Sequence, residues 1–232
     1  MTARPVSALP PAASPFEVYL SAQPPAGAAG VASGRLLLSC WSWAEGMRGT
    51  ATLPFTVPAW AGFAAQGGSA RIHNDSLAGA LAACGCAGAT AASECVLTAE
   101  AWDDSGAAPA RLANAWFFPA PLKSVSTMRD PHLAVTDVSP TPGVPGGFNV
   151  TITAAALPVA AVWLESLLCC GRFSDNGFLM TSSPLTLQYS PGADARGWAH
   201  APPPGAETRV TAGQFAASLT VSSLLDMAGY GA

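Results

Sequence analysis

Cys84-Gly85-Cys86, with Cys95 a short distance beyond, is the densest group of reactive side chains in the sequence. Three thiolates suit zinc, but a closed tetrahedral site needs a fourth ligand. His73 is the nearest candidate, and the spacing fits no common zinc module. A local disulfide closing the Cys86–Cys95 loop, or buried free thiols, is the preferred reading of Cys84, Cys86 and Cys95. The remaining cysteines of the six are Cys40, Cys169 and Cys170. A bond between the adjacent Cys169 and Cys170 would be strained, so these two pair elsewhere or stay reduced.

Other chemistry is sparse. Hydrolysis by paired carboxylates needs two of them held rigidly across the reacting bond. Glu17, Glu45, Glu94, Glu100, Glu165 and Glu207 are scattered; Glu94 and Glu100 flank one strand candidate and Glu165 ends another. Exposed strand faces account for all six, and none is assigned a catalytic role. His73, His132 and His200 lie far apart, and no G-x-S-x-G nucleophile elbow occurs. No G-x-G-x-x-G or Walker-type loop is present, so no cofactor is expected, and no metal. Trp41 and Trp43 share one face of a strand. Such a pair, or either with Trp60, could stack sugar rings, but core or domain contact is the preferred reading. Asn74-Asp75-Ser76 and Asn149-Val150-Thr151 match the N-glycosylation acceptor, which counts only if the chain enters the secretory pathway.

These side chains must be positioned by β-strands. Phe148, Val150, Ile152 and Ala154 alternate with Asn149, Thr151 and Thr153; Leu185, Leu187 and Tyr189 alternate with Thr186 and Gln188. Phe215, Ala217, Leu219 and Val221 alternate in the same way, which predicts a strand there too. Further strands are expected at Phe16–Leu20, Arg35–Trp43, Thr50–Val57, Ser69–His73, Glu94–Trp102, Asn114–Phe118, His132–Val138 and Val159–Glu165. Pro- and Gly-rich turns separate them, as in sandwiches and barrels. One short helix is expected, capped by Ser76, running over Leu77–Ala83 and stopped at Gly85. The alternation restarts after Lys123–Pro131. The expected organisation is a disordered tail over 1–14, one immunoglobulin-like sandwich over 15–125 and a second over 130–232, all-β overall.

Composition narrows the function classes. Only 10% of the 232 residues are charged and the net charge is −4, with no basic run, which argues against nucleic acid or an acidic lipid surface. The 23 Gly and 21 Pro do not signal disorder, because 7 Trp and 9 Phe are spread along the chain. Proline interrupts the N-terminal stretch, so it does not read as a signal peptide. Either the protein is intracellular or Met1 is not the true start. No uninterrupted run reaches the ~20 apolar residues of a membrane span.

Ser174-Asp175-Asn176-Gly177 suits a tight turn between two strands: Asp175 can bond the backbone downstream and Asn-Gly supplies positive φ. Phe173 and Phe178 can pin it to the core. The string containing it, Gly171-Arg172-Phe173-Ser174-Asp175-Asn176-Gly177-Phe178 continuing to Thr181, preceded by Ala161–Glu165 (AVWLE), resembles the last immunoglobulin-like domain of animal lysosomal β-mannosidases. Ser218–Asp226 (SLTVSSLLD) is similar to their terminal strand. FEVYL at Phe16–Leu20, LLLSCWSW at Leu36–Trp43, LAACGC at Leu81–Cys86, SECV at Ser93–Val96 and NAWFFPAPLKSV at Asn114–Val125 resemble, in order and more loosely, the preceding sandwich domain. Cys169-Cys170 and the Ala- and Gly-rich loops depart from the family.

The resemblance implies the C-terminal accessory region of an enzyme that removes terminal β-linked mannose. The two catalytic glutamates of that family lie on a (β/α)₈ barrel upstream, for which this chain has no room, since ~250 residues are typical. No catalytic residue carries over, and the chain alone is expected to be inactive. The implied partner is the catalytic barrel of a β-mannosidase, in cis. The alternative is a stand-alone sandwich pair that binds carbohydrate or protein. Membership of a full-length enzyme would imply a lysosomal, vacuolar or secreted location.

Overall fold

A computed structural model of the chain describes residues 2–3, 14–21, 33–57, 69–104, 106–125, 127–167, 171–191 and 210–228. The chain divides into two compact units, Met1–Met128 and Arg129–Ala232. The division falls inside the Lys123–Pro131 stretch where the alternation restarts. The protein is all-β, with a few short helices.

In the first unit, inward alternation of Leu36, Leu38 and Cys40 makes β3 (Ser33–Ser42) the centre of a four-stranded antiparallel sheet. It lies between β4 (Gly46–Thr56) and β6 (Cys95–Asp103), and β6 pairs in turn with β7 (Ala110–Phe117). A smaller sheet has the order β1 (Thr2–Ala3), β2 (Pro15–Ser21), β5 (Ser69–Ser76). The tail expected over 1–14 therefore contains a two-residue strand, with Thr2 opposite Tyr19 and Ala3 opposite Val18, because the edge of β2 offers free backbone groups. Residues 4–13 lie outside the described residues. Phe16, Val18 and Leu20 of one sheet meet Leu36, Leu38, Leu97 and Ala99 of the other in a single core.

The Leu77–Ala83 helix starts as its sequence implies: the Ser76 hydroxyl accepts the Gly79 N–H at 3.0 Å. Gly85 follows it at φ 85°, a left-handed conformation that favours glycine at a helix exit. The expected strand from Glu94 begins one residue later. Ala91–Glu94 forms one helical turn instead, with the Glu94 N–H bonded to the Thr90 carbonyl at 3.0 Å.

In the second unit, one sheet has the order β11 (Gly171–Phe173), β13 (Leu185–Pro191), β9 (Phe148–Thr153), β8 (Ala134–Pro140). The other has the order β12 (Phe178–Met180), β10 (Val159–Ser166), β14 (Leu219–Ser222). Val150, Ile152, Leu187 and Tyr189 from the first meet Val162, Leu164, Phe178 and Met180 from the second. β8 starts after His132, whose φ of 44° takes it out of the extended region.

The strand expected from Phe215 to Val221 is corrected. Ala212–Ser218 is a helix, and only Leu219–Ser222 is extended. A capping box decides this: Thr211 Oγ1 accepts the Gln214 N–H at 3.2 Å and Gln214 Oε1 accepts the Thr211 N–H at 2.9 Å. Helical geometry turns Phe215 into the core, where it stacks on Phe148 at 4.4 Å and leans on Tyr189 at 4.6 Å. A further helix, Leu224–Ala228, follows, with Asp226 Oδ2 accepting both the N–H and the hydroxyl of Ser223. With Ala91–Glu94 and a 3-10 turn at Leu122–Ser124, these make four helical segments among the described residues beyond the single helix expected. No helix among the described residues is long and apolar enough to cross a membrane.

Candidate functional site

The Gly171–Phe178 segment is not a hairpin turn. Its first strand, β11, pairs with β13, and its second, β12, pairs with β10 in the other sheet. The intervening Ser174–Gly177 carries the chain from one layer of the unit to the other. The segment is a turn between two strands with Gly177 at positive φ, but the strands it joins lie in different sheets, since Asn-Gly satisfies any sharp bend, whichever strands lie on either side.

Each side chain in the crossover has a defined job. Ser174 prolongs the β11–β13 pairing: its N–H donates to the Gln188 carbonyl at 2.7 Å and its hydroxyl accepts the Gln188 N–H at 3.1 Å. Asp175 Oδ1 accepts the Asn176 N–H at 2.9 Å. Asn176 then acts as a substitute strand residue. Its Oδ1 accepts the Leu164 N–H at 2.8 Å and its Nδ2 donates to the Leu164 carbonyl at 3.0 Å, meeting both backbone groups of one residue of β10. Gly177, at φ 71°, donates its N–H to the Val162 carbonyl at 2.8 Å. The positive φ favours glycine at 177, and a Cβ there would press the Trp163 ring at 3.3 Å, moving it by a few tenths of an ångström. Gly171 lies against Tyr189, whose ring and hydroxyl a Cβ would strike. Phe178 is in the core, and the half-buried Phe173 tilts onto Tyr189 at 5.3 Å. Arg172 is exposed.

Beside the crossover, Trp163 is 41% exposed on β10 and donates its Nε1 hydrogen to Glu165 Oε1 at 3.0 Å. This pairing makes Glu165 an acceptor on the surface of β10. The remaining described glutamates also sit on the surface. Glu17 binds Arg71 at 2.7 Å, and that hydrogen bond, followed by one from the Tyr19 hydroxyl, holds its carboxyl below the usual value. Glu45 pairs with Arg48 at 2.8 Å. Glu100, inside β6 and not flanking it, accepts from Trp102 Nε1 at 3.2 Å and from Arg111 at 3.4 Å. Glu207 lies outside the described residues, as do His200, Trp60, Cys169 and Cys170.

The cysteine cluster is resolved into two disulfides. Cys86 joins Cys95 across a sequence separation of 9, and Cys84 joins Cys40 across a separation of 44. Cys40 was not among the candidates. Its only signal is its place in the inward-facing series Leu36, Leu38, Cys40, which aims it at the end of the Leu77–Ala83 helix. His73 takes no part, and among the described residues no group of three His, Cys, Asp or Glu side chains could hold a metal ion. His73 Nε2 is buried without a hydrogen-bond partner, and burial lowers the imidazole pKa below its ordinary value against a smaller opposing influence of Asp75.

The tryptophan pair is divided. Trp43 follows the end of β3, is 2% exposed and stacks on Phe118 at 6.0 Å, so it offers no platform. Trp41 is half-buried, with Nε1 donating to Thr98 Oγ1 at 3.3 Å. Trp116, 43% exposed and packed against Phe118 at 5.2 Å, is the accessible ring nearby. The two glycosylation motifs also differ. Asn74 is exposed on β5, whereas Asn149 is half-buried on β9 with its Oδ1 accepting the Thr141 hydroxyl at 3.1 Å.

The second unit therefore has two packed sheets, a crossover stitched by Asn176 and no catalytic constellation among its described residues. Residues 128–227 match the Ig_mannosidase family model, an Ig-fold domain. A comparison with curated proteins gives no match. The mannosidase Ig-fold domain is typical of the C-terminal region of family-two β-mannosidases, and the crossover lies inside the matched residues. Within the matched residues the Gly171–Phe178 string joins the two sheets.

Proposed function

We propose that the chain is the C-terminal accessory region of a β-mannosidase, the enzyme class that removes terminal β-D-mannose residues, and that it has no hydrolase activity by itself. The observation that carries this reading is the mannosidase Ig-fold match over 128–227. The first unit is assigned as the β-mannosidase-type sandwich that precedes the Ig-fold domain, supported by the residue strings from Phe16 to Val125. The partner is the catalytic barrel in cis, as in the animal lysosomal enzymes that the crossover string resembles. Trp163 and Trp116 are the exposed rings available as packing anchors against it. Inactivity is favoured by the carboxylates: among the described residues Glu17, Glu45 and Glu100 are held by arginines and Glu165 by a tryptophan.

The test is to assay the purified 232-residue chain on an aryl β-mannoside. No turnover is expected, and steady turnover would sink the reading. The alternative, a free-standing carbohydrate-binding pair, is favoured by the exposed ring of Trp116. Affinity electrophoresis through mannan separates the two readings: retardation abolished by Trp116→Ala would establish sugar binding, and unretarded migration is expected.

A further inference from the structure

We propose that Asn74 is an N-glycan attachment site, so that the chain is a secretory-pathway protein with a sugar on the outer strand of its first unit. Two independent observations meet there. The first is compartment. Four buried cysteines of this unit form the Cys40–Cys84 and Cys86–Cys95 disulfides, joining β3 and β6 to the Leu77–Ala83 helix and the loop after it. Disulfides of this kind form in oxidising compartments, where the glycosylation machinery also works. The second is placement. Asn74 opens the acceptor triplet Asn74-Asp75-Ser76 near the end of β5, the outer strand of the order β1-β2-β5. It is exposed, it faces Glu17 on one side, and among the described residues its side chain makes no hydrogen bond. A glycan there displaces nothing from the fold.

The second triplet, at Asn149, lacks these properties. β9 is paired on both sides, Asn149 lies between Ser139 and Gln188, and its amide oxygen is held by Thr141. A sugar at Asn149 would have to emerge from the middle of a sheet face, between two paired strands. Among the described residues β5 has no strand on its outer side, and a sugar at Asn74 lies along that edge, where a strand otherwise invites association with another chain.

The step requires a lipid-diphosphate-linked oligosaccharide as co-reactant. Asn74 Nδ2 bonds to the anomeric carbon of the sugar and gives up one proton. The bond from that carbon to the diphosphate oxygen breaks, and the lipid diphosphate leaves with the electron pair. Nothing is oxidised or reduced. In the folded chain the Ser76 hydroxyl needed for acceptance accepts the Gly79 N–H, so the proposal places transfer before the helix cap forms.

The experiment expresses the full chain behind a cleavable secretion signal in a eukaryotic host, in an Asn149→Gln background so that only Asn74 can report. A single-glycan mobility shift, removed by peptide N-glycosidase, is expected in both the microsomal and the secreted pools. Reading the microsomal pool keeps the test valid for any variant that misfolds. Adding Asn74→Gln, or separately Ser76→Ala, is expected to abolish the shift. An unshifted Asn149→Gln chain, or a shift that survives Asn74→Gln, overturns the proposal.

Discussion

The first unit ties its layers together with sulfur, and the second does so with rings and one amide. Cys40 lies on the inward face of β3 and bonds to Cys84 at the end of the helix that follows β5 in the other sheet. The core around that bond is rich in small residues, with Ala80, Ala91, Ala99 and Ala101 all buried. In the second unit Phe148, Phe215 and Tyr189 stack in the centre, and Asn176 ties the inter-sheet crossover to Leu164. Buried apolar area stabilises at roughly 25 cal/mol per Å², so an alanine contributes little where a phenylalanine contributes much. A cross-link stabilises differently, by restricting the unfolded chain. Among the described residues, the unit with the smaller core side chains carries the covalent bonds.

The largest effect expected from this contrast is loss of the cross-links. Replacing Cys40 and Cys84 by alanine removes a loop closure worth roughly 4 kcal/mol in the chain-entropy account, and replacing Cys86 and Cys95 as well removes a further ~2–3 kcal/mol. A thermal scan of the fourfold variant is expected to lose the transition of the first unit and retain that of the second. Equal loss from both would break the comparison.

Next comes Phe215→Ala. The side chain is fully buried between two rings, and its removal is expected to cost about 3–5 kcal/mol. Denaturant unfolding followed unit by unit should place that cost in the second unit alone. A change below ~1 kcal/mol would mean that the stack closes over the gap, against the range for such truncations.

Asn176→Ala is smaller, at roughly 1–3 kcal/mol, because it leaves the Leu164 N–H and carbonyl without partners. Hydrogen exchange sharpens the test: the Leu164 amide should lose protection while the Val162 and Ile152 amides keep theirs. If Leu164 stays protected, the amide stitch is not what closes β10.

The smallest effect is acidic destabilisation confined to the first unit. Burial holds the His73 pKa below its ordinary 6.5, so the unfolded chain binds this proton more readily than the folded one. The neutral imidazole's full contribution is present above about pH 6.5 and is lost as pH falls from there through the lowered folded value. His73→Gln should flatten the dependence in that window. An unchanged pH profile would assign the acid sensitivity elsewhere.

Legibility in the sequence followed the kind of interaction. Strands such as Phe148–Thr153 were readable because alternation is a local property, and the Leu77–Ala83 helix was readable because Ser76 and Gly85 are local signals. Phe215–Val221 misled for the same reason. Its alternation fits a strand, yet the Thr211–Gln214 box just upstream starts a helix that buries Phe215 in the core. Cys86 and Cys95, close in sequence, could be proposed as partners, while Cys40, far from Cys84, could not.

By itself the sequence determined the all-β character, the restart of the pattern after Lys123–Pro131 and the residue string from Gly171 to Phe178. Each of these is carried by neighbours in the chain, where pleat, φ and side-chain type act directly. Only the tertiary structure decided that Ser174–Gly177 crosses between sheets, that Asn176 completes β10 through its side chain, and that Cys40 answers Cys84. Those outcomes depend on which strand lies beside which, and strand pairing is settled by packing across the whole unit, beyond the reach of local propensity.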